Sequence, residues 1–208
     1  MGGGRYSLPH TASMHTVSDK LLKDGYALFC PNVLVDTSAL LAECQKPIAS
    51  IPRQKSFLGS LAVSRAVVDE AKKLCIEQKL VGYLGQAAAI KSVELYQSTP
   101  NETPYRSGQL WHLDIDFAKQ IKMFFMCHPT IHSNGPFTFI SAQDSTTVLE
   151  ETGYVPGKSL DDRHLQGYSP IELIGDAGSL VLIDSSRCLH FGSRCASGTR
   201  TALVVQFT

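Results

Sequence analysis

Short apolar segments that recur between residues 89 and 207 constrain the fold of this chain more than any other feature of its sequence. They are rich in β-branched and aromatic residues, and Pro, Gly, Asn and Asp separate them, which is the pattern of short strands joined by turns. A run of this kind predicts a β-sandwich or jelly roll with helices packed outside. The segments are AIKSVELYQS, QLWHLDID, IKMFFMCH, GPFTFIS, IELIG, GSLVLIDSS and RTALVVQF.

The residues before these segments indicate helices with one strand between them. Ser18 can cap a helix that Gly25 ends, and Asp36 can cap the next helix, TSALLAECQK. Between the two helices, YALFCPNVL has the composition of an apolar strand, which Pro31 ends. Apolar residues at helical spacing predict one longer helix over roughly 60–80.

The domain prediction follows from these two parts. The chain has 208 residues, enough for one substantial core and too few for two comfortable ones. We predict a single domain over 1–208 that is mainly β with flanking helices. Its helical part covers about 17–88, and its double-stranded β-helix (jelly-roll, cupin-like) core covers about 89–207. Residues 141–170 are predicted to be the least structured insert.

Composition narrows the class of partner. Lysine plus arginine equal aspartate plus glutamate, at 19 each, so no basic excess indicates nucleic acid. No apolar run approaches the ~18 residues that a membrane span requires, and MGGGRYSLPHTASMHTVSDK lacks the apolar stretch of a secretory signal. The six cysteines form no C-x-x-C pair. We therefore expect a cytoplasmic protein that binds a small molecule, with no nucleic-acid and no membrane partner.

The segment WHLDID places three ionisable residues in an apolar context. On a strand, His112, Asp114 and Asp116 would share one face, where an imidazole and a carboxylate can bind one metal ion. The H-x-D pattern is short, and by itself it fits equally a histidine that is hydrogen-bonded to an aspartate at a barrel rim. We interpret Asp116 as a bystander of the ligand pair.

A second segment supplies a third possible metal ligand and a nearby cation. His190 follows the strand GSLVLIDSS, and Arg200 begins the last strand. His112, Asp114 and His190 would form a two-histidine, one-carboxylate facial triad, the ligand set of non-haem Fe(II) sites. Arg200 is planar and permanently charged, which suits a bidentate contact with a carboxylate in the same barrel.

Taken together, these motifs resemble the phytanoyl-CoA dioxygenase family of Fe(II)/2-oxoglutarate-dependent oxygenases. The resemblance covers roughly 90–207 and includes the turn and strand NGPFTFI. It implies that His112, Asp114 and His190 hold the iron and that Arg200 binds the distal carboxylate of 2-oxoglutarate. It also implies that Lys122 and, less directly, Gln97 lie near this cosubstrate.

The resemblance implies a reaction as well. The chain would be a dioxygenase that uses Fe(II), 2-oxoglutarate and O2 to hydroxylate a small molecule, with release of succinate and CO2. Desaturation or epimerisation with the same cofactors remains an alternative, as does a non-catalytic jelly-roll module that binds a metal or ligand. The family usually has a Gly-Ser-His segment where this chain has SAQDS, which leaves the substrate open.

Other candidate residues have simpler interpretations. His128 and His132 have the spacing of a helical zinc pair, but Pro129 makes a helix unfavourable, so we expect loop residues. Trp111 is predicted to pack behind the site, and Arg194 is predicted to be an exposed loop arginine.

Overall fold

The computed structural model describes residues 14–48, 58–85, 88–100 and 104–208. No helix within these ranges is long and apolar enough to cross a membrane. The helices are α1 (Met14–Asp24), α2 (Ser38–Ile48), α3 (Arg65–Lys73), α4 (Ile76–Leu84) and α5 (Ala142–Thr152). The strands are β1 (Tyr26–Phe29), β2 (Leu58–Leu61), β3 (Ile90–Ser98), β4 (Ile121–Met126), β5 (Thr138–Phe139), β6 (Ile171–Glu172), β7 (Leu180–Ile183), β8 (His190–Phe191) and β9 (Arg200–Phe207).

The strands form two antiparallel sheets. The larger sheet has six strands in the order β1-β7-β4-β9-β3-β2, and the smaller has three in the order β6-β5-β8. Strands β1 and β2, which come from the part predicted to be helical, form the two edges of the larger sheet. The prediction of a mainly β chain with helices is confirmed at this level, while the double-stranded β-helix topology stays a prediction.

Strand β9 shows how the larger sheet separates a core from a cavity. All but one of its residues are buried, so both of its faces are covered. Leu203, Val205 and Phe207 lie on one face and belong to an apolar cluster that also contains Leu21 of α1 and Leu80 of α4. Side chains alternate along a strand. The opposite face therefore presents Arg200, Ala202, Val204 and Gln206, and all four line a cavity.

The smaller sheet packs against that second face of the larger one. Phe124 of β4 stacks on Phe137 with ring centroids 3.7 Å apart and an interplanar angle of 17°. Phe139 of β5 belongs to the same apolar cluster as Val181 of β7 and Ala202 of β9. This contact fixes the small sheet, and with it β8, above the large one.

The N-terminal helices differ from the prediction at one point. The single helix expected over roughly 60–80 is two helices, α3 and α4, and its first residues belong to β2. Cys75, between the helices, has φ 49° in the left-handed region, and a right-handed helix cannot continue through such a residue. The strand that Pro31 was predicted to end is β1, and it ends slightly earlier, at Phe29.

Two predictions about the second half of the chain were wrong. QLWHLDID is not a regular strand, because only Trp111 and His112 pair there, through isolated bridges to Leu160 and His190. The insert 141–170, predicted to be the least structured, contains the whole of α5.

The start of α5 offers a test of this local structure. Ser141 Oγ accepts a hydrogen bond from the backbone N–H of Asp144 at 3.0 Å, and it donates one to the Asp144 carboxylate at 2.9 Å. Ser141→Ala should lower the free energy of unfolding by about 1 kcal/mol, because the helix loses its N-cap. Chemical denaturation measures the change. Ser141→Thr keeps the hydroxyl and should cost less, and equal losses in both variants would contradict the capping role.

Candidate metal centre

Three side chains from distant parts of the sequence converge at one side of the cavity. One ligand atom from each of His112, Asp114 and His190 lies within 4.8 Å of the others. Asp114 Oδ2 is 3.6 Å from His190 Nε2, and Asp114 Oδ1 is 4.0 Å from His112 Nε2. The structure therefore brings together the three residues that the sequence indicated as metal ligands.

Reciprocal backbone hydrogen bonds hold the two histidine segments together. His112 N donates to His190 O at 3.0 Å, and His190 N donates to His112 O at 3.1 Å. The N–H of Asp114 donates to Ser185 O at 3.0 Å, in the turn between β7 and β8. The ligands are thus positioned by main-chain pairing between 112–114 and 185–190, so their geometry does not depend on side-chain contacts alone.

Both imidazoles are oriented in the same way. Nδ1 of His112 is 2.8 Å from Leu110 O, and Nδ1 of His190 is 2.9 Å from Cys188 O. A carbonyl oxygen can only accept a hydrogen bond, so Nδ1 carries the proton in each ring. Nε2 is therefore the nitrogen of each ring that remains available to a metal ion.

Protonation states also suit metal binding. Burial lowers the pKa of His190 to about 4, against the opposing charge of Asp114, so its imidazole is neutral at pH 7. Burial alone would raise the pKa of Asp114, but the positive charges of a protonated His190 and of Lys122 lower it to about 2. At neutral pH the site therefore presents the neutral imidazole of His190 and the ionised carboxylate of Asp114.

Lys122 of β4 lies beside the carboxylate ligand. Its Nζ is 2.8 Å from Asp114 Oδ2, and both side chains are largely buried. Apart from this ion pair, Oδ2 is buried without a hydrogen bond from any described residue. One carboxylate beside two imidazole nitrogens is a donor set that suits a divalent cation such as Fe(II).

Arg200 lines the same cavity, which has a volume of about 290 Å³. Only 5% of the residue is exposed. Its Nη2 lies 3.3 Å from Ser98 Oγ and 3.3 Å from Ser193 Oγ, while Nε and Nη1 have no hydrogen-bond partner among the described residues. Burial lowers the pKa of Arg200 to about 10, so the guanidinium remains charged at neutral pH.

An unpaired cation at this depth needs a compensating anion. A buried charge without a partner costs several kcal/mol, whereas a paired and hydrogen-bonded one can be accommodated. No carboxylate in the described part of the chain forms an ion pair with Arg200, and the thiol of Cys195 lies near enough to interact with its charge. The orphaned N–H groups of Arg200 therefore mark a binding position for an anionic ligand in the cavity.

The remaining residues of the predicted site do not all line the cavity. Lys122 lines the cavity, as does Asp116, whose side chain is exposed and has no described partner. Gln97 does not line it, because alternation along β3 turns Gln97 to the core face with Leu95.

Sequence reasoning missed the two serines around Arg200. Ser98 lies directly opposite Arg200 in the β3–β9 pairing, and Ser193 follows β8. Only the register between β3 and β9 could have indicated Ser98, and that register is not readable from one strand alone. Ser193 has φ 64°, a conformation for which a serine gives no sequence signal.

Trp111 and Arg194 pack against Phe191, the residue that follows the metal ligand His190. Trp111 is buried as predicted, packs edge-on against Phe191, and donates its Nε1–H to Asp162 at 3.0 Å. Arg194, predicted to be exposed, is instead largely buried: its guanidinium stacks on Phe191 and forms an ion pair with Asp162 at 2.8 Å. Both residues tie the segment around Asp162 to the strand of His190.

The histidines of the H-x-x-x-H pattern lie apart from this centre. His132 begins a short 3₁₀ helix, is exposed, and contacts Glu172 at 2.9 Å. His128 follows β4 in a loop, and burial lowers its pKa. The two residues are therefore not a metal pair in the described structure.

Comparison with known proteins gives a fold and no family. No protein-family model matches the chain, and no curated protein matches it significantly. Membership in the phytanoyl-CoA dioxygenase family therefore stays a prediction.

Several solved structures share the fold. EvdMO1 aligns with a TM-score of 0.63 at 12% identity over 94% of this chain, which spans 50% of the length of EvdMO1. The epimerase SnoN, solved with Fe3+, α-ketoglutarate and nogalamycin RO, aligns with 0.61 at 14% identity over 94% of this chain and 83% of its own. HygX from Streptomyces hygroscopicus, solved with nickel and 2-oxoglutarate, gives 0.60 at 10% identity over 94% and 87%. The chain therefore has the fold of these three proteins.

Proposed function

We propose that this protein is a non-haem Fe(II)- and 2-oxoglutarate-dependent oxygenase. The observation that carries the proposal is the buried, unpaired guanidinium of Arg200 in the same cavity as the triad of His112, Asp114 and His190. A metal-binding module needs the triad alone. An enzyme that also binds a dicarboxylic cosubstrate needs, in addition, a cation at a distance from the metal.

The triad would hold the iron. Two histidine nitrogens and one carboxylate leave three coordination positions open. When bound, Fe(II) with 2-oxoglutarate and dioxygen supplies the oxidising chemistry, which yields succinate and CO2 and oxidises a bond of the substrate. The protein's contribution is to fix the ligands through the pairing of 112 with 190 and to orient each ring through the contact of its Nδ1 with a backbone carbonyl, which leaves Nε2 for the metal.

Arg200 would bind the distal carboxylate of 2-oxoglutarate. Its unpaired Nε and Nη1 can donate to an anion, and the hydroxyls of Ser98 and Ser193 on Nη2 hold the guanidinium plane in position. The apolar side chains of Ala202 and Val204 line the cavity beside it. Such surroundings strengthen a charge pair, because they exclude water.

Lys122 would support the carboxylate of Asp114, which is the proposed metal ligand. Its ammonium group contacts Oδ2 of Asp114 and helps to keep that carboxylate ionised. Gln97 faces the core and does not line the cavity, so it is not part of the proposed cosubstrate site.

Hydroxylation of a small molecule is the outcome that we propose. SnoN, with a related fold, is described as an epimerase, so the product must be analysed and cannot be assumed. Hydroxylation adds one oxygen atom to the substrate, whereas epimerisation leaves its mass unchanged. Mass spectrometry of the product separates the two.

Formation of succinate tests the proposed activity. Protein reconstituted anaerobically with Fe(II) should convert 2-oxoglutarate into succinate when O2 is admitted, and omission of either Fe(II) or O2 should stop the reaction. His112→Ala should abolish it, because one metal ligand is lost. His164→Ala, which changes a histidine outside the cavity, should retain the activity. The proposal would be overturned if both variants lost the activity. It would also be overturned if the wild type bound iron but formed no succinate.

A further inference from the structure

The part of the cavity that the proposed cofactors leave free has its own chemistry. His112, Asp114 and His190 are assigned to the metal, and Arg200 is assigned to the cosubstrate. Among the described residues, the charged side chains of the cavity that remain are Glu94, Asp116 and Lys122.

We propose that the substrate is a small polar molecule with a protonated amine, and that Glu94 binds this amine; the inference rests on the proposed oxygenase function. Glu94 is the specificity-determining residue in this arrangement. Asp116 adds a second negative charge on the exposed side of the cavity.

The position of Glu94 supports this role. It lies in β3 opposite Val204 of β9, on the face of the sheet that lines the cavity. The hydroxyl of Tyr96 donates a hydrogen bond to Oε2 of Glu94. Among the residues that the structure describes, no lysine, arginine or histidine forms an ion pair with Glu94. Its carboxylate is therefore held in place by a neutral donor while its charge remains uncompensated.

Lys122 is the cation that the described residues place in this part of the cavity, and it is already paired. Lys122 Nζ lies 2.8 Å from Asp114 Oδ2, which neutralises its charge. Among the described lining residues, an anionic substrate would meet the carboxylates of Glu94 and Asp116, while Lys122 is paired and Arg200 is assigned to the cosubstrate. Like charges at close range are destabilising, so the cavity selects against anions such as acyl-CoA thioesters.

Polar groups next to Glu94 suit the rest of such a molecule. Ser92 and Gln206 face each other across β3 and β9 and both line the cavity. Ser92 Oγ is 3.5 Å from Gln206 Oε1, and Gln206 Nε2 donates to Gln120 Oε1. These amides and hydroxyls can exchange hydrogen bonds with hydroxyl groups of a substrate, as the few placed polar groups of small-molecule sites do.

The cavity volume limits the size of the part that is bound. About 290 Å³ lies at the lower end of the range for small-molecule sites. Since 2-oxoglutarate would occupy the portion near Arg200, the portion near Glu94 accommodates about one ring or a short chain. Larger substrates would have to extend through the mouth past Asp116.

Three probes that share one pyranose ring test the charge preference. Protein loaded anaerobically with Fe(II) and 2-oxoglutarate is titrated by calorimetry with glucosamine, a cation, with glucose, which is neutral, and with glucuronate, an anion. Glucosamine should bind about tenfold more tightly than glucose, a ratio that corresponds to ~1.4 kcal/mol. Glucuronate should bind most weakly.

Glu94→Gln then identifies the residue responsible. Glutamine keeps an acceptor for the Tyr96 hydroxyl and removes the charge, so the variant should fold and lose the preference for glucosamine over glucose. Glu150→Gln, a matched change at an exposed position of α5, should keep the preference. Thermal unfolding of each variant checks the fold.

The outcomes separate this inference from the proposed function. Absence of glucosamine binding, equal or tighter binding of glucuronate, or an unchanged preference in Glu94→Gln would overturn the inference. The visible absorption band of the Fe(II)–2-oxoglutarate complex is recorded in the same samples before any probe is added. If the band forms and the preference fails, only the substrate class is wrong; if no band forms, the oxygenase proposal fails.

Discussion

Substituting Arg200 by methionine should weaken the binding of 2-oxoglutarate by about 10- to 100-fold, the range expected for loss of a hydrogen-bonded charge pair of ~1.5–3 kcal/mol. Iron binding should change little, because Arg200 contacts two serines and none of the three metal ligands. Isothermal titration of 2-oxoglutarate into the Fe(II)-loaded protein, and of Fe(II) into the metal-free protein, measures both affinities.

The same substitution should not destabilise the ligand-free protein. Without the cosubstrate, Arg200 is a buried cation whose Nε and Nη1 have no hydrogen-bond partner among the described residues, and replacement of such a charge by an apolar side chain is often neutral or stabilising. We therefore expect the free energy of unfolding of the ligand-free protein to remain equal or to rise. A structural arginine would behave otherwise, since its loss would lower stability and both affinities together.

Arg163→Met serves as the control for this experiment. Arg163 is exposed and forms an ion pair with Asp161 outside the cavity. Removal of its charge alters the net charge of the protein by the same amount as Arg200→Met. An equal loss of 2-oxoglutarate affinity in this variant would show that the effect is one of overall charge and not of the site.

The metal ligands could be predicted from the sequence because their identity carries the chemistry. His112, Asp114 and His190 are residue types that bind Fe(II), and their order along the chain matched a known pattern. Their convergence, however, does not depend on the strand that the pattern predicted. It depends on the reciprocal backbone pairing of His112 with His190 and on the hydrogen bond from Asp114 to Ser185.

Residues whose role depends on strand register could not be predicted. Gln97 and Ser98 are neighbours in β3, and side-chain alternation alone decides that Ser98 contacts Arg200 while Gln97 faces the core. A shift of one residue in the pairing of β3 with β9 would exchange the two. Nothing in a single sequence specifies that register.

Prediction of the helices from the sequence was limited in a similar way. The apolar spacing over 60–80 indicated a helix correctly but did not reveal the break at Cys75, because a cysteine in the left-handed conformation leaves no sequence signal. The helix α5 was missed because its polar residues resemble a loop. Its N-cap at Ser141 and the final Gly153, with φ 60°, are the signals that could have indicated it.

Substituting Asp114 by alanine should abolish the Fe(II)–2-oxoglutarate complex. The weak visible band of that complex, expected in the wild type under anaerobic conditions, should be absent. Iron affinity should fall by more than about 100-fold, the upper range for loss of a residue that only supports a metal ligand. The effect is large because the substitution also leaves Lys122, which is 2.8 Å from Asp114 Oδ2, without its anion beside the metal position.

Asp116→Asn is the matched control, and it separates the two aspartates of WHLDID. Asp116 is exposed, lines the outer cavity, and is not part of the three-residue cluster. Its substitution should preserve the band and the iron affinity, since it removes a charge without removing a ligand. If Asp116→Asn abolished the band and Asp114→Ala did not, the assignment of the carboxylate ligand would be wrong. A double substitution, Asp114→Ala with Lys122→Met, should recover part of the iron affinity, because it removes the uncompensated ammonium group that would repel the cation.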